Sequence, residues 1–424
     1  MVLNAWRMQR LIRTARASSH WPPEKIRLAQ ADQLRRLLRH AYDHVPLYRR
    51  LYDEAGFRPE MFRSLEDLQR VPRLTKQRLK RAGPEEALAG GTPPSACRLI
   101  KTSGSTGAPL HLYLDPSDNA WQRAVAWRIL FEHGFRYTDR TLEIRMTPGE
   151  SFSVQKLGVA PKDWVSILDA PESWARCLAR RKHQVVVACA STLHALAEAV
   201  ETQGLEIRPP RIVVSDSEVL TAATSRWVER ALGTVPVDVF GLAEVSNFAW
   251  QCEERQGFHI SADSHIVEVA APPGDLGEVV VTALGMWGMP IIRYETGDLA
   301  QQVPGPCRCG RTLPLLTQLS GRVTDAVALP DGSRLYWPYF HEILGAHRDL
   351  EQWQVVQERA GRARVHLVLR GDQGDLVDRI RGELQAGLPA GFGLDVARCH
   401  GIRKEPSGKT RVIVSHCTDA PAAP

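Results

Sequence analysis

The sequence predicts an α/β protein: a large N-terminal portion that includes a β subdomain, followed by a small α+β C-terminal portion. Three observations predict it. Apolar strands at Val185–Cys189, 211–215 and 235–240 alternate with helical stretches to about 201 and over 221–232, the spacing of a sheet covered by helices. Val267-Glu268-Val269, Glu278-Val279-Val280-Val281-Thr282 and Ile291-Ile292-Arg293-Tyr294 then follow as short strands separated by Gly/Pro turns, as in an antiparallel unit. Finally, the character changes again near Gly321-Arg322, beyond which strands near 352–358 and 363–370, a helix near 375–387 and strands near 393–399 and 411–415 form a separate pattern.

In chain order, residues 1–90 read as a helical lead-in. Ile26, Leu34, Leu37, Leu38, Ala41 and Val45 recur mostly three and four apart with arginines between them, which predicts an amphipathic helix over 24–45. Pro46 ends it. A short helix over 47–56 follows, then another turn from Ser64, a candidate N-cap, and a helical stretch from Pro72-Arg73-Leu74-Thr75-Lys76. Residues 91–321 form the core, opening on a Ser/Gly/Thr loop and a helix over 116–133. Residues 322–424 form the small C-terminal domain, with a tail from Ala420.

Bulk properties narrow the function. The chain has 424 residues, 43% hydrophobic and 24% charged, an ordinary composition for a globular protein. No apolar run approaches the roughly 20 residues that span a bilayer, and Met1–Arg16 lacks the apolar core of a secretory signal. A cytoplasmic enzyme is expected. The net charge of +6 is spread along the chain. It suits an anionic small substrate, and there is no basic stripe with interleaved aromatics to bind nucleic acid. Eight scattered cysteines without a signal peptide argue against a disulfide framework.

Five stretches carry candidate chemistry. Thr102-Ser103-Gly104-Ser105-Thr106-Gly107-Ala108-Pro109-Leu110 places two glycines among small hydroxyl residues. Such a loop can turn its N–H groups and hydroxyls onto phosphate oxygens, or it can be a plain hairpin turn. Ser215-Asp216-Ser217-Glu218 ends a strand, where an open sheet binds ligands; taken alone it reads as a helix N-cap with an acidic first turn. Asp238-Val239-Phe240-Gly241-Leu242-Ala243-Glu244 pairs an aromatic face that can stack on a purine with a carboxylate that can hold Mg²⁺. Alone it is a strand-to-helix turn with a solvated glutamate. Arg293-Tyr294-Glu295-Thr296-Gly297-Asp298 offers a carboxylate for ribose hydroxyls, or a generic β-turn. Pro406-Ser407-Gly408-Lys409-Thr410-Arg411 sets a lysine after a flexible turn.

Together and in this order, the five resemble the adenylate-forming superfamily of acyl-CoA synthetases and adenylation domains, and within it the phenylacetate–CoA ligase family. The resemblance also covers His40–Tyr48, Leu65–Lys76, Gly277–Asp298 and Gly321-Arg322. It implies a two-step reaction in which a carboxylic acid attacks ATP·Mg²⁺ to give an acyl-adenylate, and a thiol, that of CoA, then displaces AMP. The substrate expected is an aromatic or other small organic acid. The resemblance gives Ser103, Gly104, Ser105, Thr106 and Gly107 to the β/γ-phosphates, and Ser217, Glu218, Phe240 and Gly241 to the adenine. Asp298 goes to the ribose, Arg322 to the ribose or phosphate, and Glu244 to Mg²⁺. Lys409, Glu244 and Thr106 form the catalytic set, with Lys409 bridging carboxylate and α-phosphate, since a phosphoryl transition state gathers negative charge that placed cations stabilise. Two positions depart from the family pattern: Phe240 stands where tyrosine is usual, and Thr324 in Gly321-Arg322-Val323-Thr324-Asp325 stands where the hinge acid is expected. The acid pocket is expected from 134–150, 189–195, 214–219 and 239–247, with Arg145, Cys189, Ser191 and Asn247 as candidates.

A metal site is also expected. Cys252 and His259, seven apart, and the Cys307-Arg308-Cys309-Gly310 knuckle supply three thiolates and an imidazole, a closed set suited to structural Zn²⁺. Some members of the family carry a similar set. Three ordinary buried cysteines and an unrelated histidine are the alternative. Two other functional readings stay open: transfer of the acyl group to a carrier-protein thiol or an amine, and a degenerate member acting in binding or regulation. A homodimer is compatible with each.

Overall fold

The structure is a computed structural model and describes residues 12–101, 110–146, 155, 158–317, 326–371, 374–402 and 410–417. Contacts divide the chain into two compact units, Met1–Gly134 with Val239–Leu319, and Phe135–Asp238 with Ser320–Pro424. Each unit is therefore discontinuous in sequence. The small C-terminal portion groups with residues 135–238 of the core, and the helical lead-in groups with the β subdomain.

In the first unit, the helix Pro23–His44 buries Ile26, Leu34, Leu37, Leu38 and Ala41. Val45 leaves the helical region at φ −117°, ψ 107°, as a residue before proline must, and Pro46 opens the next helix, Pro46–Glu54. Ser64 begins a short 3₁₀ turn, Leu65–Arg70, where the Asp67 carboxylate accepts from the N–H groups of Arg63 at 2.9 Å and Ser64 at 3.3 Å. Lys76–Ala87 follows, capped by the Thr75 hydroxyl.

The strands Arg98–Lys101 and His111–Leu114 pair antiparallel on either side of the Ser/Gly/Thr loop, whose residues 102–109 lie outside the described ones. Leu110, Leu112 and Leu114 are buried while His111 is exposed, so the alternation seen in the sequence fixes the face of this strand. The helix Pro116–Glu132 follows. An antiparallel sheet completes the unit, in the order His265–Val269, Leu276–Ala283, Tyr294–Val303, Leu315–Thr317, Phe258–Ile260, Ser246–Gln251, Val237–Leu242.

In the second unit, the strands Ile212–Asp216, Val185–Cys189, Thr141–Arg145 and Lys162–Ser166 lie side by side in that order and are all parallel. The helices Pro171–Arg181, Ala190–Thr202 and Ala222–Leu232 cover them. One core results, in which Leu142, Ile144, Trp174, Val186, Leu193, Leu196, Val213 and Val228 pack together. Each such large aliphatic side chain contributes roughly 1.5–3 kcal/mol on burial.

The C-terminal residues form a second core around a four-stranded sheet, in the order Gly393–Arg398, Arg362–Leu369, Leu350–Arg359, Ile413–Ser415. The helices Trp337–Gly345 and Gly374–Ala386 pack on it through Phe340, Leu344, Leu376, Ile380 and Leu384. Among the described residues no helix is long and apolar enough to cross a membrane.

Candidate active site

In the first unit the sequence-predicted residues fall on two pieces of the antiparallel sheet. Glu244 lies in the tight turn between the strands Val237–Leu242 and Ser246–Gln251. It is 5% exposed and the chain leaves the turn as a strand, so the alternative reading as a strand-to-helix turn with a solvated glutamate is corrected. Its Oε1 accepts a hydrogen bond from the Tyr294 hydroxyl at 3.0 Å, and among the described residues it forms no ion pair. Asp298 lies four residues beyond Tyr294 on the same strand and is also buried. The alternative reading of 293–298 as a generic turn is likewise corrected: from Tyr294 onward the segment is a strand, with Gly297 left-handed at φ 73°. There the Thr296 hydroxyl accepts from the Asp298 N–H at 3.0 Å and donates to the Val279 carbonyl at 2.8 Å.

Phe240 packs edge-on against Phe248, with ring centroids 4.9 Å apart. Gly241 is required by the hairpin itself. A Cβ there would come within 2.6 Å of Asn247 Cα and 2.7 Å of the Ser246 carbonyl. This close approach accompanies a register shift between Phe240 and Gly241 and a left-handed Ser246 at φ 65°. Gly241 thus has a structural reason that does not involve adenine.

In the second unit, the carboxyl ends of the parallel strands carry charge. Asp216 ends its strand with both oxygens on the Arg145 guanidinium, one bond at 2.6 Å. Glu143 lies 3.7 Å from Arg145 and 2.8 Å from the Lys162 ammonium. Burial opposes the Arg145 charge, but Asp216 beside it more than compensates and holds the guanidinium above its ordinary range.

Ser217 is exposed and left-handed at φ 66°, an unusual backbone for a residue with a side chain. It turns the chain so that Glu218 reaches the helix Ala190–Thr202. Glu218 accepts from the Ser191 N–H at 2.8 Å, the Ser191 hydroxyl at 3.1 Å and the Thr410 N–H at 2.8 Å. The reading of 215–218 as the N-cap of the next helix is corrected: Thr221 is that cap, accepting from the Thr224 N–H at 3.1 Å. Of the pocket candidates, Arg145 and Ser191 are engaged by carboxylates. Cys189 contacts the Thr192 hydroxyl at 3.0 Å, and its thiol is pushed up by burial and by the Glu218 charge.

Cys252, His259, Cys307 and Cys309 converge although two of them lie some 50 residues beyond the others. Their four ligand atoms lie within 4.8 Å of one another. Cys252 Sγ is 3.6 Å from Cys307 Sγ, and Cys309 Sγ is 3.3 Å from His259 Nε2. The sheet makes this happen, because His259 stands opposite Trp250 on one side and Leu315 on the other. Burial pushes the His259 imidazole down to about 4, which favours the neutral ring, the form that can ligate a metal. Burial raises the Cys309 thiol, but the N–H groups of Arg311 outweigh it and the thiol sits below its ordinary value.

Ser103, Gly104, Ser105, Thr106, Gly107, Arg322, Thr324 and Lys409 lie outside the described residues. Their described neighbours are the paired residues Lys101 and His111, and Thr410 on Glu218. Sequence reasoning missed three features: Tyr294 as partner of Glu244, the Arg145–Asp216 pair, and the Glu218–Thr410 bond. Tyr294 was visible within the 293–298 stretch, but nothing in a linear sequence marks a hydroxyl as facing a carboxylate 50 residues away.

No protein-family model matches the chain. The solved structure of 2-hydroxyisobutyryl-CoA ligase in its postadenylation state superimposes with a TM-score of 0.78 at 21% identity, covering 94% of this chain and 91% of that one. The fold is therefore that of the adenylate-forming CoA ligases. Phenylacetate-coenzyme A ligase of Thermus thermophilus is 30% identical over 360 residues, 80% of each chain. Its Escherichia coli counterpart is 29% identical over 330 residues, 72% of this chain and 73% of that one. The chain belongs to the phenylacetate–CoA ligase family of adenylate-forming enzymes.

Proposed function

We propose that the protein is an ATP- and Mg²⁺-dependent ligase that joins a small, aromatic carboxylic acid to coenzyme A. In the first step a carboxylate oxygen of the acid bonds to the α-phosphorus of ATP as the bond to pyrophosphate breaks. In the second, the CoA sulfur bonds to the acyl carbon, AMP leaves with the carboxylate oxygen, and the thiol proton passes to solvent. No general base is needed for the first step, because the acid is already ionised at neutral pH.

The observation that carries this reading is Glu244. A buried carboxylate is costly without a compensating charge, and Glu244 has a neutral hydroxyl as its partner. That is a hard oxygen donor left available for a cation such as Mg²⁺. In the same reading, Asp298 holds the ribose, Phe240 offers its face to the adenine, the 103–107 loop grips the outgoing phosphates, and Arg322 and Lys409 supply positive charge. Both Glu218 oxygens are engaged, so the backbone around Ser217 and Glu218 is what meets the adenine.

The test is ATP–pyrophosphate exchange with a panel of aromatic and short aliphatic acids, followed by AMP release with and without CoA. Exchange with an aromatic acid and CoA-dependent release are expected. Absence of exchange with every acid would remove the reading, and exchange without CoA-dependent release would reassign the acceptor.

Cys252, His259, Cys307 and Cys309 are proposed to hold one structural zinc. Soft sulfur donors and a neutral imidazole suit Zn²⁺ and not Mg²⁺, so the two metals are assigned to different residues. With ATP and CoA as substrates, the cytoplasm is the proposed compartment.

A further inference from the structure

The Tyr294 hydroxyl has no part in the roles assigned above, yet it is the group that touches Glu244. The bond is 3.0 Å long, and both residues are withheld from solvent, Tyr294 at 1% and Glu244 at 5% exposure.

The residue before Tyr294 is built to aim it. Arg293 has a left-handed backbone, φ 46°, which an arginine adopts only when its surroundings over-determine it. Here they do. The guanidinium donates to both oxygens of Glu268 at 2.9 and 2.8 Å, to the Gln69 side chain at 3.0 Å, to the Gln69 carbonyl at 3.2 Å, and to the Val71 carbonyl. The Arg293 N–H donates to the Thr282 hydroxyl at 2.9 Å. Leu74 then brackets Tyr294, donating to the Arg293 carbonyl at 2.9 Å and accepting from the Glu295 N–H at 3.0 Å. The backbone is thus pinned on both sides of Tyr294, and the ring is directed at a turn 50 residues earlier in the chain.

The choice of partner matters. A guanidinium or ammonium on Glu244 would neutralise the carboxylate and compete with an incoming cation. A phenol fixes one oxygen and leaves the charge in place. We propose that Tyr294 is a positioning residue for the divalent cation: its hydroxyl holds Glu244 Oε1, so that Oε2 is presented to the metal that accompanies ATP. The proposal rests on the assignment of Glu244 to that metal. Groups that orient a metal ligand in this way typically change metal affinity 10- to 100-fold when removed.

The test uses the protein with ATP and no acid, and Mn²⁺ as the probe, its free concentration read by electron paramagnetic resonance. Tyr294→Phe, which removes the hydroxyl alone, should weaken Mn²⁺–ATP binding about 10-fold. Binding of ATP without metal should be unchanged. The rate of pyrophosphate exchange should be restored by raising Mg²⁺. Glu244→Gln should weaken Mn²⁺ binding at least as much, and adding Tyr294→Phe to it should cost nothing more.

Tyr48→Phe is the control for loss of any buried hydroxyl. Tyr48 is equally buried but bonds the Pro290 carbonyl and the Ile292 N–H, each at 2.9 Å. Thermal unfolding followed by circular dichroism shows whether each variant is folded. If Tyr294→Phe is folded and binds Mn²⁺ as the parent does while Glu244→Gln does not, the positioning role is overturned. If Glu244→Gln also binds normally, the assignment of Glu244 to the metal falls instead. Equal weakening in Tyr48→Phe and Tyr294→Phe would reduce the effect to generic destabilisation and overturn the proposal.

Discussion

At the scale of single residues, Glu218 shows how one side chain can serve two distant parts of a unit. The helix Ala190–Thr202 begins after Cys189, which makes no side-chain cap, so its first N–H groups need partners from elsewhere. Glu218 supplies one, and its charge lies at the positive end of the helix dipole. The same carboxylate takes the Thr410 N–H from the C-terminal segment. Glu218→Ala should therefore lower stability by about 1–2 kcal/mol, the usual cost of a lost cap, read as a lower urea midpoint. Hydrogen exchange at the Ser191 and Thr410 amides should rise with it. Glu218→Gln, which keeps the acceptor and loses the charge, should fall between the two. An unchanged midpoint with unchanged exchange in Glu218→Ala would show that these bonds carry no weight.

The same region shows why residue roles were only partly legible in the sequence. Ser215-Asp216-Ser217-Glu218 has the composition of a cap, and a cap is what Glu218 provides. It caps a helix 27 residues earlier, and the helix that follows is capped by Thr221. Composition indicates what a carboxylate can do, whereas the partner is set by the left-handed turn at Ser217.

At the scale of elements, period and punctuation carried the reading well where strands are continuously apolar. Val185–Cys189 falls where expected, and the strands and helix of the C-terminal portion lie within a few residues of their expected bounds. Thr141–Arg145 and Ser246–Gln251 could not be read this way. Their sequences, Thr-Leu-Glu-Ile-Arg and Ser-Asn-Phe-Ala-Trp-Gln, mix charge and amide with apolar residues, because the first carries Glu143 and Arg145 to face Lys162 and Asp216 and the second folds back on Gly241.

The Cys/His module belongs to this scale as well. Its four ligands come from one strand, the residue after another, and a connection between two more, so a bound ion would tie these pieces together at one point. Purified protein is expected to carry about one zinc per chain by elemental analysis. Removal by a chelator should lower the unfolding temperature, with the binding free energy appearing as folding free energy. A metal-free protein of equal stability would exclude the structural role.

At the scale of the whole molecule, the discontinuous units were the feature least accessible to a linear reading. A boundary near Gly321 is marked by composition, but the grouping of 135–238 with 320–424 depends on contacts such as those from Arg226 to the carbonyls of Gly345 at 3.2 Å and His347 at 3.4 Å. No sequence pattern announces such pairings.

Stability against acid is a property of the molecule as a whole, and its sign follows from opposed groups. His265 is fully buried between the Val245 carbonyl and the Ser264 hydroxyl. Burial, outweighing the nearby Asp263 charge, pushes the imidazole down from 6.5 to about 4. His341, stacked on Trp337, is likewise pushed to about 4 by burial and by Arg226. For both, the unfolded chain binds a proton between pH 6.5 and 4 that the folded protein does not. The stability they allow is present above pH 6.5 and is lost as pH falls through that window.

Asp118 acts the other way. Burial and the neighbouring Asp115 raise it from 3.8 to about 6, so the folded state binds the extra proton and gains as pH falls from 6 toward 4. At pH 5, linkage gives a loss of about 2 kcal/mol for His265 and a return of about 1 kcal/mol for Asp118. With His341 added, the net effect is destabilising. The urea midpoint is therefore expected to fall steadily from pH 7 to pH 5. His265→Gln should be less stable at pH 7, having lost a packed ring, but should show a shallower slope below it, because the group that takes up the proton on unfolding is gone. A variant with the parent's slope would show that the acid sensitivity resides in other groups.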